Sequence, residues 1–423
     1  MALVKSDFST VALAPETTLG VAPTTGWGIF QPQRDGVQEW GPQLRATTRE
    51  PLGKYATREK GAVVGRDAAV SIAHDLTKDW ADLNAPLAWR VVPKHPGNTG
   101  ESLFRPTAVT ATGYTVASLG ALPNGTLVFA RGFTNAANNG LKVLAGTSTG
   151  IEIKTTGLTA ETNPTNATLE VVGVQGAAGD ITLNGSGNLT STTLNFTTLG
   201  IPVGSWMKVG GATAITQFAT ALYNGYARVL SVAANLIAFD LRSWTPGALD
   251  AGAAKTIQLV QPRFYRNVTT DHVDYREPSL HGELELLGIG AADVAEYVYA
   301  RGLNLSSFAI DAPLQDKITT TATYVGLDIA DPVIAASRVA GASAARAPMA
   351  GALVQTSSGI QEVRLSTYGT DVKISTEVNN WSASIDTEVK AQFQQGADAG
   401  QRMIHARHMP MAKARSLPST AMR

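Results

Sequence analysis

The chain contains no cysteine. That absence excludes a disulfide framework and any thiolate metal or redox site. Charge is scarce as well: charged residues make up 16% of the chain, against about 25% in an average soluble protein. Neither sign is in surplus, because 34 Lys and Arg stand against 34 Asp and Glu. A protein that reads duplex DNA needs cations to displace condensed counterions, so sequence-specific DNA binding is not expected. A membrane-spanning segment is not expected either. The longest charge-free stretch, residues 181–207, is full of Asn, Ser, Thr and Gly, whose polar groups lipid could not satisfy. Near the start, Lys5 and Asp7 interrupt any signal-like apolar core, which predicts a protein made and kept in a reducing cytoplasm.

In place of the missing Lys and Glu, the chain carries Thr, Ser, Ala, Gly and Asn. That exchange suits strands and turns better than surface helices, so the expected class is β-rich. A length of 423 residues corresponds to about two to three domains. Charge is also unevenly spread. Residues 106–262 hold 7 basic and 6 acidic side chains in 157 positions, while the other 266 positions hold 27 and 28. A shift of that size between two prolines predicts one domain set into another.

The low-charge segment repeats itself. Leu119-Gly-Ala-Leu-Pro-Asn-Gly125-Thr-Leu-Val128 is echoed by Leu199-Gly-Ile-Pro-Val-Gly204-Ser-Trp-Met-Lys208. Asn139-Gly-Leu-Lys-Val-Leu144 returns as Asn224-Gly-Tyr-Ala-Arg-Val-Leu230, and Thr168-Leu-Glu-Val-Val172 as Thr256-Ile-Gln-Leu-Val260. Three echoes in one order predict two β modules, 106–178 and 179–262, each with an Asn-Gly turn before an alternating strand. Within them, Lys142-Val-Leu-Ala is expected to pair with Ile151-Glu-Ile-Lys154, and Arg228–Val232 with Leu236–Asp240.

The flanking segments, 1–105 and 263–423, also read as strands. In residues 317–325, Ile318, Thr320, Ala322 and Tyr324 fall on one face, and 362–365 with 371–376 predict a hairpin. Ala291-Ala-Asp-Val-Ala-Glu-Tyr-Val-Tyr-Ala-Arg301 predicts a helix stopped by Gly302, and residues 75–83 a short helical turn capped by Asp75. Trp27, Trp40, Trp80, Trp206 and Trp381 are expected core anchors. Residues 41–60 show no period and predict a polar loop, with Arg45, Arg49, Glu50, Lys54, Arg58, Glu59 and Lys60 as candidate contact residues. The C-terminal tail after Asp398 is basic.

No catalytic set emerges, and no cofactor or metal is expected. Gly146-Thr-Ser148-Thr-Gly150 fits a nucleophile-elbow pattern, but strand-like runs flank it where a strand-to-helix turn is required. Gly288-Ile-Gly290-Ala-Ala-Asp293 is a fragment of a dinucleotide fingerprint with Asp where a small residue is needed. His405 and His408 lack a third ligand. Asp75, Asp79 and Asp82 read as capping or solvated residues. Eight Asn-x-Ser/Thr sequons, Asn124 and Asn188 among them, reflect an Asn- and Thr-rich composition.

Several blocks resemble a known family. Glu16-Thr-Thr-Leu-Gly-Val-Ala-Pro23 resembles the opening of the tail tube (major tail) proteins of long-tailed, siphovirus-type bacteriophages. Arg49-Glu-Pro-Leu52, Arg58-Glu-Lys-Gly-Ala-Val-Val-Gly65 and Asp75-Leu-Thr77 resemble the next blocks. Tyr275–Leu287 and Thr321–Ile329 resemble later strands, and Arg131-Gly-Phe-Thr-Asn-Ala-Ala-Asn-Asn-Gly140 a module inserted in such subunits. The resemblance implies a tail-tube β-sandwich or barrel core with a flanking α-helix, carrying the repeated modules as an insertion. It also implies a structural virion protein, not an enzyme, assembled in the bacterial cytoplasm into stacked homohexameric rings. The implied partners are tape measure, tail terminator and distal tail proteins, with DNA as non-specific transit cargo. The polar stretch 41–60 is then an inter-ring arm. The competing expectation is a phage or cell-surface adhesin or fibre that binds host glycan or protein through the repeated modules.

Overall fold

A computed structural model describes residues 10–24, 26–33, 36–49, 59–92, 103–164, 167–247, 250–261, 263, 265, 268–286, 295–330, 332–334, 347–348, 353–355, 364–367, 370–373, 380–392 and 402–405. The architecture is mainly β, with antiparallel sheets and one α-helix among the described residues. The chain divides into two compact units, Met1–Val92 together with Arg266–Arg423, and Pro93–Tyr265.

The first unit opens with β1 (Thr10–Pro15), β2 (Gly28–Phe30), β3 (Val37–Arg49), β4 (Glu59–Asp75) and α1 (Lys78–Trp89). The second unit begins with β5 (Leu103–Phe104), β6 (Pro106–Val109), β7 (Gly113–Leu122), β8 (Thr126–Arg131), β9 (Gly140–Val143), β10 (Ser148–Lys154), β11 (Glu161–Thr162) and β12 (Thr168–Gln175). It continues with β13 (Thr182–Leu183), β14 (Leu189–Thr190), β15 (Trp206–Val209), β16 (Gly225–Ala233), β17 (Leu236–Arg242) and β18 (Gln258–Val260). The chain then returns to the first unit through β19 (Leu280–Leu286), β20 (Glu296–Ala312), β21 (Thr319–Gly326), β22 (Asp328–Ile329), β23 (Val333–Ile334) and β24 (Ala347–Pro348). Last come β25 (Arg364–Thr367), β26 (Thr370–Lys373), β27 (Trp381–Asp386), β28 (Val389–Gln392) and β29 (Arg402–His405).

In the first unit the strands run β24-β2-β1-β19-β20-β21-β4-β3. Laid flat, the five steps from β2 to β4 would span about 24 Å. Instead, the ring of Phe30 on β2 lies 6.0 Å from that of His74 on β4. The sheet is therefore rolled, and the segment leaving β2 closes it, with Gln33 N–H donating to Ala73 O at 2.9 Å. Inside the roll sit Leu13, Phe30, Val70, Ile72, Leu303, Ala322 and Tyr324, each large side chain contributing about 1.5–3 kcal/mol by leaving water.

Helix α1 packs on the same core through Trp80, Leu87 and Ala88. Its start is set by Thr77, whose Oγ1 accepts the Trp80 N–H at 3.3 Å. Arg90 in the left-handed region ends it, its N–H reaching Pro86 O at 2.8 Å. The expectation that Asp75 caps this helix is corrected: its carboxylate accepts from Gln33 Nε2 at 2.8 Å and pairs with Lys317 Nζ at 2.9 Å. The expected helix over 291–301 is corrected too. From Glu296 the chain is strand β20, buried on both faces along most of its first ten residues; residues 291–294 lie outside the described residues.

The insertion is larger than the 106–262 of the sequence reading, because β5 already pairs with β12. Its two copies form one unit. Ten strands share a sheet that contains the order β16-β15-β18-β12-β8-β9. Matched strands stand at equal distances from the central β12–β18 pair, which is antiparallel, the arrangement a local two-fold axis produces. Local geometry repeats as well. Asn139 accepts the Phe133 N–H at 3.0 Å and donates to Phe133 O at 2.9 Å; Asn224 does the same to Phe218 at 2.8 and 2.9 Å. Thr126 Oγ1 donates to Pro123 O, and Ser205 Oγ to Pro202 O, both at 2.7 Å. Strand β16 pairs with β17 as expected, but β10 leaves β9 and pairs with β7 in a separate four-stranded sheet. Strand β7 offers β10 a longer partner than the two-residue β14 offers β17.

Two predictions follow from this packing. The ends of the insertion are held side by side in the first unit, where Val92 N–H bonds Asp274 O at 3.0 Å and Arg276 N–H bonds Arg90 O at 2.9 Å. Replacing residues 93–265 with a short Gly-Ser linker leaves the first unit folded, which circular dichroism and thermal melting check; loss of cooperative melting would contradict it. The second concerns Asp180. Burial alone would raise its carboxyl pKa, but hydrogen bonds from Ser191 Oγ and the N–H groups of Thr192 and Thr193 outweigh it and hold the group below the ordinary carboxylate value. A depressed pKa gives stability that is present above the unfolded value, about 3.9, and lost as pH falls through the folded one. Asp180→Asn therefore lowers stability at neutral pH and flattens the acid limb of a melting-temperature profile, relative to the parent chain.

Candidate functional site

Strands β4, β21, β20 and β27 lie side by side, and residues two apart share a face. The inward set includes Val70, Ile72, Ala322, Tyr324 and Phe308. The outward set follows from the register: Ser71 and Ala73 stand beside Thr323 and Thr321. These in turn stand beside Ser307 and Ala309 on β20, whose other neighbours are Asp386 and Ser384 on β27. Asp311 lies between Thr319 and Ser382. The face is thus made of Ser, Thr, Ala and Asp. A shallow depression of about 300 Å³ opens there, lined by Ala309, Asp311, Thr319, Thr321, Ser382 and Ser384 among others.

No Lys or Arg occupies an outward position on these four strands over this registered stretch, among the described residues. Lys317, two residues before β21, is committed to Asp75. Burial would push the Asp75 carboxyl up, but hydrogen bonds from Gln33 and Lys317 outweigh it and hold the group low, so it stays charged at neutral pH. Such a surface offers hydroxyls and carboxylates to a passing polyanion and, over this stretch, no positive charge to release its counterions and hold its phosphates. Among the described residues no group of His, Asp and Glu could hold a metal ion.

Within the expected polar loop over 41–60, residues 41–49 are instead part of β3 and residues 59–60 the start of β4, which pair as an antiparallel ribbon. Arg45 and Arg49 lie on β3, and Glu59 and Lys60 on β4, with Arg45 opposite Gly65 and Arg49 opposite Glu59. Residues 50–58, Glu50, Lys54 and Arg58 among them, lie outside the described residues. Strand β4 runs for 17 residues, and Ala68, Val70 and Ile72 from its second half enter the core. The pairing of β3 with β4 continues to Arg49 and Glu59, a long-range register that no period in the sequence of 41–60 marks.

Other sequence-flagged residues take plain structural roles. Ser148 is fully buried and its Oγ accepts the Lys154 N–H at 2.9 Å, so it is no exposed nucleophile. Asp82 pairs with Lys78, and Asp79 is buried in the helix. Trp27 and Trp80 are core residues, but Trp206 is 37% exposed, a correction to its expected role. Residues 287–294 and His408 lie outside the described residues; His405 ends β29.

Sequence reading missed a buried polar cluster at the turn of β20. The Glu16 side chain is fully buried. It accepts hydrogen bonds from Gly20 N–H at 2.8 Å, Ser279 Oγ at 2.6 Å and Gly302 N–H at 2.9 Å, and it faces His281 Nδ1 at 3.0 Å. Gly302 has φ +64, and a Cβ there would come within 2.7 Å of Leu327. The Glu16-to-Pro23 block thus ties down a bend in the 17-residue strand β20, with Pro23 O also accepting the Trp27 indole N–H at 2.9 Å. The spacing of Glu16 and Gly20 was visible; their distant partners were not.

In comparisons with known proteins, the chain matches no family model and no curated sequence.

Proposed function

We propose that the chain is a structural subunit that assembles into closed rings, and that the rings stack into a conduit. More specifically, it is the tail tube subunit of a siphovirus-type bacteriophage. The observation that carries this reading is the outward face of β4, β21, β20 and β27, a strip of hydroxyls and carboxylates without cations that suits the wall of a DNA channel. Hexameric rings form when the edges of the rolled sheet meet those of neighbouring subunits, a heterologous contact that closes on itself. The β3–β4 ribbon reaches the adjacent ring. Tape measure, tail terminator and distal tail proteins are the partners such a tube requires, the assembled tail of the virion is its location, and it catalyses nothing.

The arm is tested by charge reversal. Arg49→Glu lowers the yield of sedimenting tubes by about tenfold at low salt, the scale on which interface charges act, while leaving the melting temperature unchanged. Unchanged sedimentation would remove the ribbon from the ring-to-ring contact.

A further inference from the structure

We propose that the solvent face of the second repeated copy binds an acidic polysaccharide, with Trp206 and Tyr226 stacking on sugar rings and Lys208 taking a carboxylate. On β15 and β16, Met207, Val209, Ala227 and Val229 point into the core. Trp206 and Lys208 therefore face outward, directly opposite Arg228 and Tyr226. Aromatic and cation alternate along each strand and across the pair. Trp206 and Tyr226 each keep 37% of their surface in solvent. Arg228 is gripped by Asp240 at 3.1 and 2.5 Å, which fixes one polar edge beside the indole. Lys208 has no carboxylate partner among the described residues.

The fold does not demand these side chains, and the first copy demonstrates it. Its matching pair, β8 and β9, sets Leu127, which is fully buried, opposite Val143, and the exposed Phe129 opposite the exposed Leu141. The correspondence is fixed by the repeated proline turns and asparagine clamps that flank both pairs. The same ladder thus stands on aliphatic and aromatic residues in one copy and on a checkerboard of rings and cations in the other. Rings left exposed on a sheet face are a recognition surface when fixed polar groups border them.

The chemistry points to sugar. A pyranose offers a flat C–H face to an aromatic ring and hydroxyls to the groups at its rim, and an open sheet face accepts a polymer laid across it. One unpaired ammonium between two rings matches a carboxylate carried on the ring. It does not match duplex DNA, which needs a row of cations, and the chain as a whole carries no net charge to attract polyanions indiscriminately. The site lies within the inserted unit, so it stands or falls separately from ring formation.

Affinity electrophoresis of the full chain tests it, in gels containing polygalacturonate, dextran or polyacrylate. The expected result is retardation by polygalacturonate alone. Trp206→Leu weakens it about tenfold, as loss of an aromatic anchor does, and Lys208→Gln about threefold at low salt. Exchanging all four residues for their first-copy counterparts (Trp206→Leu, Lys208→Phe, Tyr226→Leu, Arg228→Val) abolishes it without altering the melting of the unit. If that variant misfolds, the two single substitutions decide the matter. Equal retardation by polyacrylate would reduce the site to bare charge, equal retardation by dextran would remove the acidic preference, and no retardation in any gel would end the proposal.

Discussion

Replacing Glu16 with alanine lowers the melting temperature of the first unit by about 6–12 °C, the shift expected when a loss of about 3 kcal/mol falls on a unit of this size. The side chain is fully buried, and alanine would leave the N–H groups of Gly20 and Gly302, the Ser279 hydroxyl and the His281 ring facing an empty volume. Unsatisfied buried donors cost more than the bonds themselves gain. Glu16→Gln keeps one acceptor oxygen and loses less. Gly302→Ala strikes the same bend from the other side, through its positive φ and the 2.7 Å approach to Leu327, at a cost of about 2–4 kcal/mol. Differential scanning calorimetry checks all three. A Glu16→Ala protein that melts within a degree of the parent would show that the cluster is incidental.

Placing a lysine on the cation-free face gives the second large effect, in function and not in folding. Thr321 is exposed on β21, between Ala73 and Ala309. Thr321→Lys leaves the core untouched and puts a ring of ammonium groups along the channel of the proposed tube. Multiple phosphate contacts change affinity by orders of magnitude, so DNA release from virions carrying the variant slows by roughly a hundredfold or more, while tubes of normal appearance still form. Thr321→Gln has no such effect. Release kinetics read by a DNA-binding dye in virions triggered in vitro separate the outcomes, and normal release with Thr321→Lys would mean that this face does not line the channel.

How much of this was legible in the sequence depended on whether side chains or backbone built the element. Strand β21 was read correctly because Ile318, Thr320, Ala322 and Tyr324 are all buried on one side, a clean period of two. The β25–β26 hairpin was found near its expected place, with Arg364 opposite Lys373. The duplication was visible because turns demand particular residues, and the Pro-Gly and Asn-Gly echoes mark the same hydrogen bonds in both copies. Strand β20 was mistaken for a helix in its first part because burial on both faces erases alternation, leaving an apolar run that periodicity alone cannot assign. The β3–β4 pairing is not legible because residues 41–60 show no period of two, and only the register joins Arg45 to Gly65 and Arg49 to Glu59. The candidate channel face escaped notice for a different reason: it joins four strands from residues 71 to 386, and only the register brings its small polar residues together. Glu16 needed the same long-range information.

Electron microscopy of the purified full chain, beside a variant in which a linker replaces residues 93–265, is the most direct test of the tube. The tail-tube reading predicts hexameric rings and hollow tubes from both proteins, with the outward face of β20 and β21 turned to the lumen. Monomers or closed trimers from both, under conditions where the chain is folded and concentrated, would contradict it, as would tubes whose lumen is lined by another surface.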